Sequence, residues 1–172
     1  MKINEKVQSV LNKQVNAEFW SAYMYLSMSA WFEEKGLKGF ANWMRVQFQE
    51  ETAHALKIYD FVLERQGTMQ LTPIEAVPTK WSGVLNVMEE TYKHECKVTA
   101  MIYNCLDVAE AEKDRATVSM LQWYVDEQIE EETNVDDIIN QLKLIGDDGQ
   151  AIYLLDKELA TRVFVDPTLP KA

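Results

Sequence analysis

Four segments of this chain each set an acidic or amide side chain at the centre of an apolar stripe: Glu18, Glu51, Glu95, and the pair Gln128 and Glu131. Carboxylates do not serve packing there, because a buried charge costs several kcal/mol unless it is compensated. The stripes supply one imidazole, His54, and no lysine or arginine beside these positions. A bound metal ion is the simplest source of the missing positive charge.

Winding each segment at about 100° per residue supports this reading. Val7, Leu11, Val15, Ala22, Tyr25 and Phe32 gather around Glu18. Phe40, Met44, Phe48, Ala55, Ile58 and Val62 bracket Glu51, with His54 roughly 60° to one side. Val84, Met88, Tyr92, Val98, Thr99, Ile102 and Leu106 are expected around Glu95, and Met120, Tyr124, Val135, Ile138 and Leu142 around Glu131. Spacing adds a second argument, because Glu18 to Glu51 and Glu95 to Gln128 are both 33 residues. The chain reads as a duplicated helical hairpin in which a lone Glu is followed by a two-residue set at i, i+3: Glu51-x-x-His54, then Gln128-x-x-Glu131. Each candidate lies about 20–25 Å along its helix at 1.5 Å per residue, so antiparallel packing brings all of them to one level.

The elements that must position these residues are marked by punctuation. Gly36 and Gly39 separate the first two helices, and Gly67 ends the second. Residues 68–80, with Pro73 and Pro78, form a connection too long for a tight hairpin and read as a crossover. A third helix is expected over Ser82 to Ala109 and a fourth over Asp114 to Leu144, ended by Gly146-Asp-Asp-Gly149. A short fifth helix, 150–163, shows Ile152, Leu155, Leu159 and Val163 on one face, a face expected to need a partner from outside the subunit; the tail, 164–172 with Pro167 and Pro170, reads as irregular. The fold class is all-α: a four-helix bundle over 4–145 with one long crossover plus a short fifth C-terminal helix. That is the connectivity of ferritin-like bundles.

A length of 172 residues suits one domain, 1–172. The net charge of −11 and the lack of a basic stripe argue against nucleic-acid binding and favour attraction of cations. With no signal core at the N-terminus and no apolar run of about 20 residues, a cytoplasmic protein without a membrane span is expected. Cys96 and Cys105, nine positions apart on one helix, face opposite ways and are expected as free thiols.

Over nearly its whole length the chain resembles the non-haem bacterial ferritins. The resemblance rests on Asn16-Ala-Glu18 followed by Tyr25, on Gln49-Glu-Glu51-Thr-Ala-His54 and on Glu90-Thr-Tyr-Lys-His-Glu95. It continues in Leu121-Gln-Trp-Tyr-Val-Asp-Glu-Gln128-Ile-Glu-Glu131, and from Gly149 through Tyr153-Leu-Leu-Asp-Lys-Glu-Leu159. It implies one iron site from Glu18, Glu51 and His54, and a second in which Glu51 bridges to Glu95 and Glu131, with Gln128 in the same centre. It further implies an accessory third iron at Glu50, Glu127 and Glu130 linked through Glu131, a redox tyrosine at Tyr25, and an aromatic neighbour at Trp123. A homo-oligomeric shell of 24 subunits storing ferric mineral is part of the same implication. Haem is not expected, since Gln128-x-x-Glu131 replaces the second Glu-x-x-His of the haem-binding sister group and Thr52 replaces its methionine.

Oxygen donors with one imidazole suit Fe²⁺ and still stabilise Fe³⁺, and carboxylates can bridge two metals. Two ferrous ions held together can each pass one electron to O₂ or H₂O₂, the ferroxidase reaction implied by the resemblance. A di-iron oxidase that keeps its metal and does not mineralise is the competing reading from the same residues. His94, wound about 100° from Glu95, is expected to face a neighbour or solvent and not the metal.

Overall fold

The computed structural model describes residues 2–169. Five α-helices account for the regular structure, and among the described residues there is no strand: α1 (Glu5–Glu34), α2 (Lys38–Glu64), α3 (Val84–Ala111), α4 (Arg115–Ile145) and α5 (Gly149–Leu159). Local chemistry fixes the ends. Asn4, Asp114 and Asp148 sit at N-caps, their side chains accepting from Lys6 N, Thr117 N, and Gln150 N with Ala151 N. Gly36 and Gly146 take positive φ at the turns that close α1 and α4, where a Cβ would be strained.

α1 packs along α2 and α3 along α4, with α1 against α3 closing the bundle. The helix ends show that neighbours run antiparallel. Asn4 and Lys6 at the start of α1 bond Glu112 at the end of α3, and Arg65 beyond α2 makes a two-pronged pair with Asp114 at the start of α4. The crossover is a strap laid parallel to α1, because Asn12, Asn16 and Ser27 donate in turn to carbonyls of Thr68, Thr72 with Pro73, and Pro78. Pro170 and the rest of the tail's end lie outside the described residues.

The core is divided. One apolar cluster gathers Met24 to Phe32, Phe40 to Met44, Val87 with Met88, and Val135 to Leu142; the other gathers Ile3 to Val15, Ala55 to Val62, Val98 to Ala109, and Leu121 with Tyr124. Between them lies a layer of buried polar side chains containing Gln14, Glu18, Gln47, Glu51, His54, Glu95, Gln128 and Glu131. This is the mid-bundle level that the spacing predicts.

Three expectations need correction. Gly39 is not a separator: it lies in the first turn of α2, where a Cβ would come within 1.6 Å of the Asp156 carbonyl oxygen. Only a glycine lets α5 approach this closely. The buried Asp156 carboxylate then accepts from Gly39 N (2.7 Å) and Phe40 N (3.0 Å), capping α2 from another helix, since Leu37 offers no side-chain cap. Second, the fifth helix ends at Leu159, so Val163 lies outside it and is exposed; Leu155 and Leu159 are buried against the chain's own bundle, so that face already has a partner. Third, the buried face of α3 runs through Val87, Met88, Thr91, Glu95, Val98, Ile102, Cys105 and Ala109, while Val84, Tyr92, Thr99 and Leu106 lie at its margin. Cys96 is exposed and Cys105 buried, both as free thiols.

The docking of α5 is testable. Gly39→Ala should destabilise the fold by about 2–3 kcal/mol through overpacking against Asp156. Asp156→Ala should cost about 1–2 kcal/mol through the lost cap. Urea unfolding followed by circular dichroism measures both, and equal stability of all three proteins would show that α5 is not held in this way.

Candidate metal centre

Every helix of the bundle gives the polar layer at least one side chain from its middle. Glu18 comes from α1, Glu51 and His54 from α2, Glu95 from α3, and Gln128 with Glu131 from α4. All six are at most 4% exposed. In the first subset, one ligand atom each from Glu18, Glu51 and His54 lies within 4.8 Å of the others. Three atoms of these residues, Glu18 Oε2, Glu51 Oε2 and His54 Nε2, are buried without a hydrogen-bond partner. Buried polar atoms are nearly always paired, so three orphans on one converging set mark a place where a cation satisfies them. The donor set, two carboxylates and an imidazole, fits a divalent first-row metal ion such as Fe²⁺.

A second subset of the same spacing joins His54 to Glu127 and Glu131. The imidazole stands between the two, with Nδ1 3.6 Å from Glu51 Oε2 and Nε2 3.8 Å from Glu127 Oε1. Both separations exceed a hydrogen bond. Glu131 is also held by Gln47, whose Nε2 donates to its Oε2 at 2.8 Å, much as Gln14 Nε2 donates to Glu18 Oε1 at 2.8 Å.

The remaining residues are placed differently. Glu95 does not join the Glu18–Glu51–His54 set: its carboxylate accepts from the Tyr25 hydroxyl and, at 3.2 Å, from Gln128 Nε2. Gln128 also donates to the Glu95 carbonyl and to Thr99. Glu50 is turned to Arg162, 2.7 Å away, and Glu130 is exposed. Trp123 packs edge-on against His54 at 5.5 Å, and Tyr124 donates to the His54 carbonyl at 2.7 Å, fixing that turn of α2. His94 faces Ser21, with 2.7 Å between Nε2 and Oγ, and the Trp20 ring, not the carboxylates.

Several of these partners are not evident in the sequence reading. Gln14 precedes Glu18 by four residues, so an amide one turn ahead of the acid is a readable signal there, whereas Gln47, one turn ahead of Glu51, bonds Glu131 on another helix and its partner is not readable. Arg162 has none, because it lies past the last helix. The reading that no arginine stands near these positions holds for the stripes but not for the folded chain.

Electrostatics match the geometry. Burial pushes the Glu51 carboxyl well above its ordinary range, against the pull of His54, with Glu95 and Glu18 adding repulsion. Burial and the charge of Glu131 raise Glu95 to about 8, and burial with Glu131 raises Glu50 to about 7 despite Arg162. Glu131 is raised by burial as well. Burial alone would lower His54, but Glu127 and Glu51 hold it well above its usual value. Burial, then Glu95 and Glu51, keeps the Tyr25 phenol well above its own. The metal-free layer therefore stores protons that a cation must expel.

Fold and site together define a helical bundle with a carboxylate–imidazole centre between its two hairpins. A family model described as a ferritin-like domain matches residues 8–145. A bacterial non-heme ferritin of Bacteroides fragilis is 42% identical over 160 residues, covering 93% of this chain and 99% of the relative, and one of Staphylococcus aureus is 36% identical over 162 residues, covering 94% and 98%. Among solved structures, an engineered closed form of the Archaeoglobus fulgidus ferritin superposes with a TM-score of 0.94 at 51% identity, covering 95% of this chain and 100% of that one. The open-pore ferritin of the same archaeon gives 0.93 at 50%, over 95% and 100%. The chain belongs to the ferritin family.

The stored protons give a pH prediction. Glu95, Glu50, Glu51 and Glu131 bind protons more tightly folded than unfolded, so the metal-free fold loses stability as pH rises from about 5 to about 8. His54, also raised, contributes stability that is present below its unfolded value and lost as pH rises through its folded one, which has the same sign. Divalent-metal affinity should rise over the same window with release of protons. Thermal melts in chelator at pH 5.5 and 8, and calorimetry in buffers of differing ionisation enthalpy, check this; a melting temperature that climbs with pH would contradict it.

Proposed function

We propose that the chain stores and detoxifies iron, oxidising its substrate Fe²⁺ to Fe³⁺ at an intra-subunit di-iron centre and passing the product on as ferric mineral. The observation that carries this reading is the convergence of the three orphaned buried atoms of Glu18, Glu51 and His54 in one bundle level. These three bind one ferrous ion. Glu51 bridges to a second, which takes Glu95 and Glu131 with Gln128 beside it. Those last residues must turn from Tyr25, Gln47 and each other to do so, and their long side chains allow it. Glu50, Glu127 and Glu130 serve an accessory third iron. The contact of His54 with both Glu51 and Glu127 supports a path between the two levels.

Two ferrous ions give up two electrons. O₂ takes them with two protons and leaves as H₂O₂, or H₂O₂ takes them with two protons and leaves as two waters. Tyr25 can supply one further electron to a partly reduced oxygen species formed from the O₂ or H₂O₂ oxidant, its proton passing along the hydrogen bond to Glu95. As a neutral amide, Gln128 weakens retention of the second ion, which favours hand-over to a mineral over a fixed cofactor. Residues 1–172 act as one ferritin-like unit without haem. The working form is a 24-subunit shell in the cytoplasm, with no nucleic-acid or membrane partner. No helix among the described residues is long and apolar enough to cross a membrane.

Glu51→Ala and His54→Ala should each slow rapid Fe²⁺ oxidation by about 10²-fold or more, and Glu51→Ala should leave assembly intact, since removing a buried acid also removes repulsion in the metal-free state. Stopped-flow absorbance measures the rate. Light scattering on the same samples reports whether the particle is near 24 times the 19.9 kDa subunit mass. Wild-type rates in both variants would remove the centre from this reading. A small oligomer that oxidises iron and accumulates no mineral would favour the non-storing oxidase.

Glu130→Ala should leave the iron pair in place and lose about one equivalent in an anaerobic Fe²⁺ titration, as expected when an accessory carboxylate is removed from a multi-metal site. An unchanged titration would strike out the third site.

A further inference from the structure

Arg162 returns from the end of α5 to the edge of the polar layer. Its Nη1 donates to Gln47 Oε1 at 2.6 Å and its Nη2 to Glu50 Oε2 at 2.7 Å, while the guanidinium lies over Trp43, 4.6 Å from the ring centre. The backbone that delivers it is pinned: Asn42 Nδ2 donates to the carbonyls of Leu159 (3.3 Å) and Arg162 (2.9 Å), and Asp156 caps α2 one turn earlier. Gln47, itself completely buried, carries the contact inward through its bond to Glu131. One guanidinium thus grips an accessory carboxylate directly and an inner carboxylate through a single amide. A fork of this kind is geometrically specific, and the charge it brings stands at the carboxylates that a third cation needs.

We propose that Arg162 is a built-in competitor for the accessory cation position: it holds Glu50 when no third metal ion is bound, releases it when one binds, and through Gln47 fixes the direction of Glu131. The proposal rests on the accessory role given above to Glu50, Glu127 and Glu130. A resident cation keeps the carboxylates compensated between turnovers, so the apo layer is not left with bare repulsion. It also caps the affinity of the third position, which makes that position one of passage and not of storage.

Zn²⁺, which has no redox chemistry, is the probe. Isothermal titration of the metal-free oligomer should show the weakest class of sites tightened about tenfold in Arg162→Met, which keeps the stem on Trp43 and removes the charge; this is the scale expected for one partly screened charge. The tight pair should change less than the weakest class, because Arg162 reaches Glu131 only through Gln47. Arg162→Lys, retaining charge without the fork, should give a smaller gain. In a Glu50→Gln background Arg162→Met should add nothing. An unchanged or weakened third class in Arg162→Met, or an equal effect with and without Glu50, overturns the proposal; if Arg162→Met does not assemble, wild-type affinity in Arg162→Lys overturns it. Glu51→Ala separates the two levels of inference, because persistence of the tight pair there would sink the metal centre itself, whatever Arg162 does.

Discussion

The architecture depends on a burial that the chain tolerates at a cost. Carboxylates from α1, α2, α3 and α4 occupy a mid-bundle level together with Gln14, Gln47, His54 and Gln128, and this level divides the core into two clusters. Each cluster must be stable enough to hold the charged layer closed. That requirement explains helices of 27 to 31 residues in the bundle, about twice the usual length, with apolar turns on both sides of the centre. It also explains the amides: Gln14 and Gln47 each donate to one oxygen of an acid and leave the other oxygen for a cation.

What was legible in the sequence was the part governed by helical period. Glu18, Glu51, Glu95, Gln128 and Glu131 stand in their stripes because 3.6 residues per turn brings apolar neighbours round to each of them, and the equal spacing in the two hairpins gives their common depth. The helical pattern is less decisive where apolar residues flank a stripe on both sides. On α3, Tyr92, Thr99 and Leu106 wind as close to Glu95 as the true core residues do, and only packing against α1 and α4 chooses Thr91 and Cys105 over them. Contacts made by helix starts and chain-end segments are not legible. Gly39 reads as a helix breaker until Asp156 is seen above it, and Arg162 reads as a tail residue until the chain folds back.

The sites therefore differ in how they are built. The inner carboxylates are carried on rigid helices and oriented by other helical side chains, Glu18 by Gln14 one turn away and Glu131 and Glu95 by Gln47, Tyr25 and Gln128 from facing helices, whereas the outer level is completed by a segment that arrives last along the chain. Glu127 comes from α4, but the Arg162 guanidinium facing Glu50 is held by Asn42 and the α5 docking. Changes at the α2 N-terminus can thus reach the outer level without touching a ligand.

The strap along α1 bears on how such a bundle reaches its folded state. The densest packing lies within each hairpin, α1 with α2 and α3 with α4, so both halves can form from contacts close in sequence, the situation that favours fast folding. Their union needs contacts between segments far apart in sequence and must bury acids against one another, the kind of step that slows folding. Residues 65–83 keep the halves tethered while that happens, and the bonds from Asn12, Asn16 and Ser27 lay the tether against α1 and so leave the second hairpin little room to search. A connection that looks like slack in the static molecule is, on this view, the device that lets two charged half-cores find each other within one chain before they find those of another.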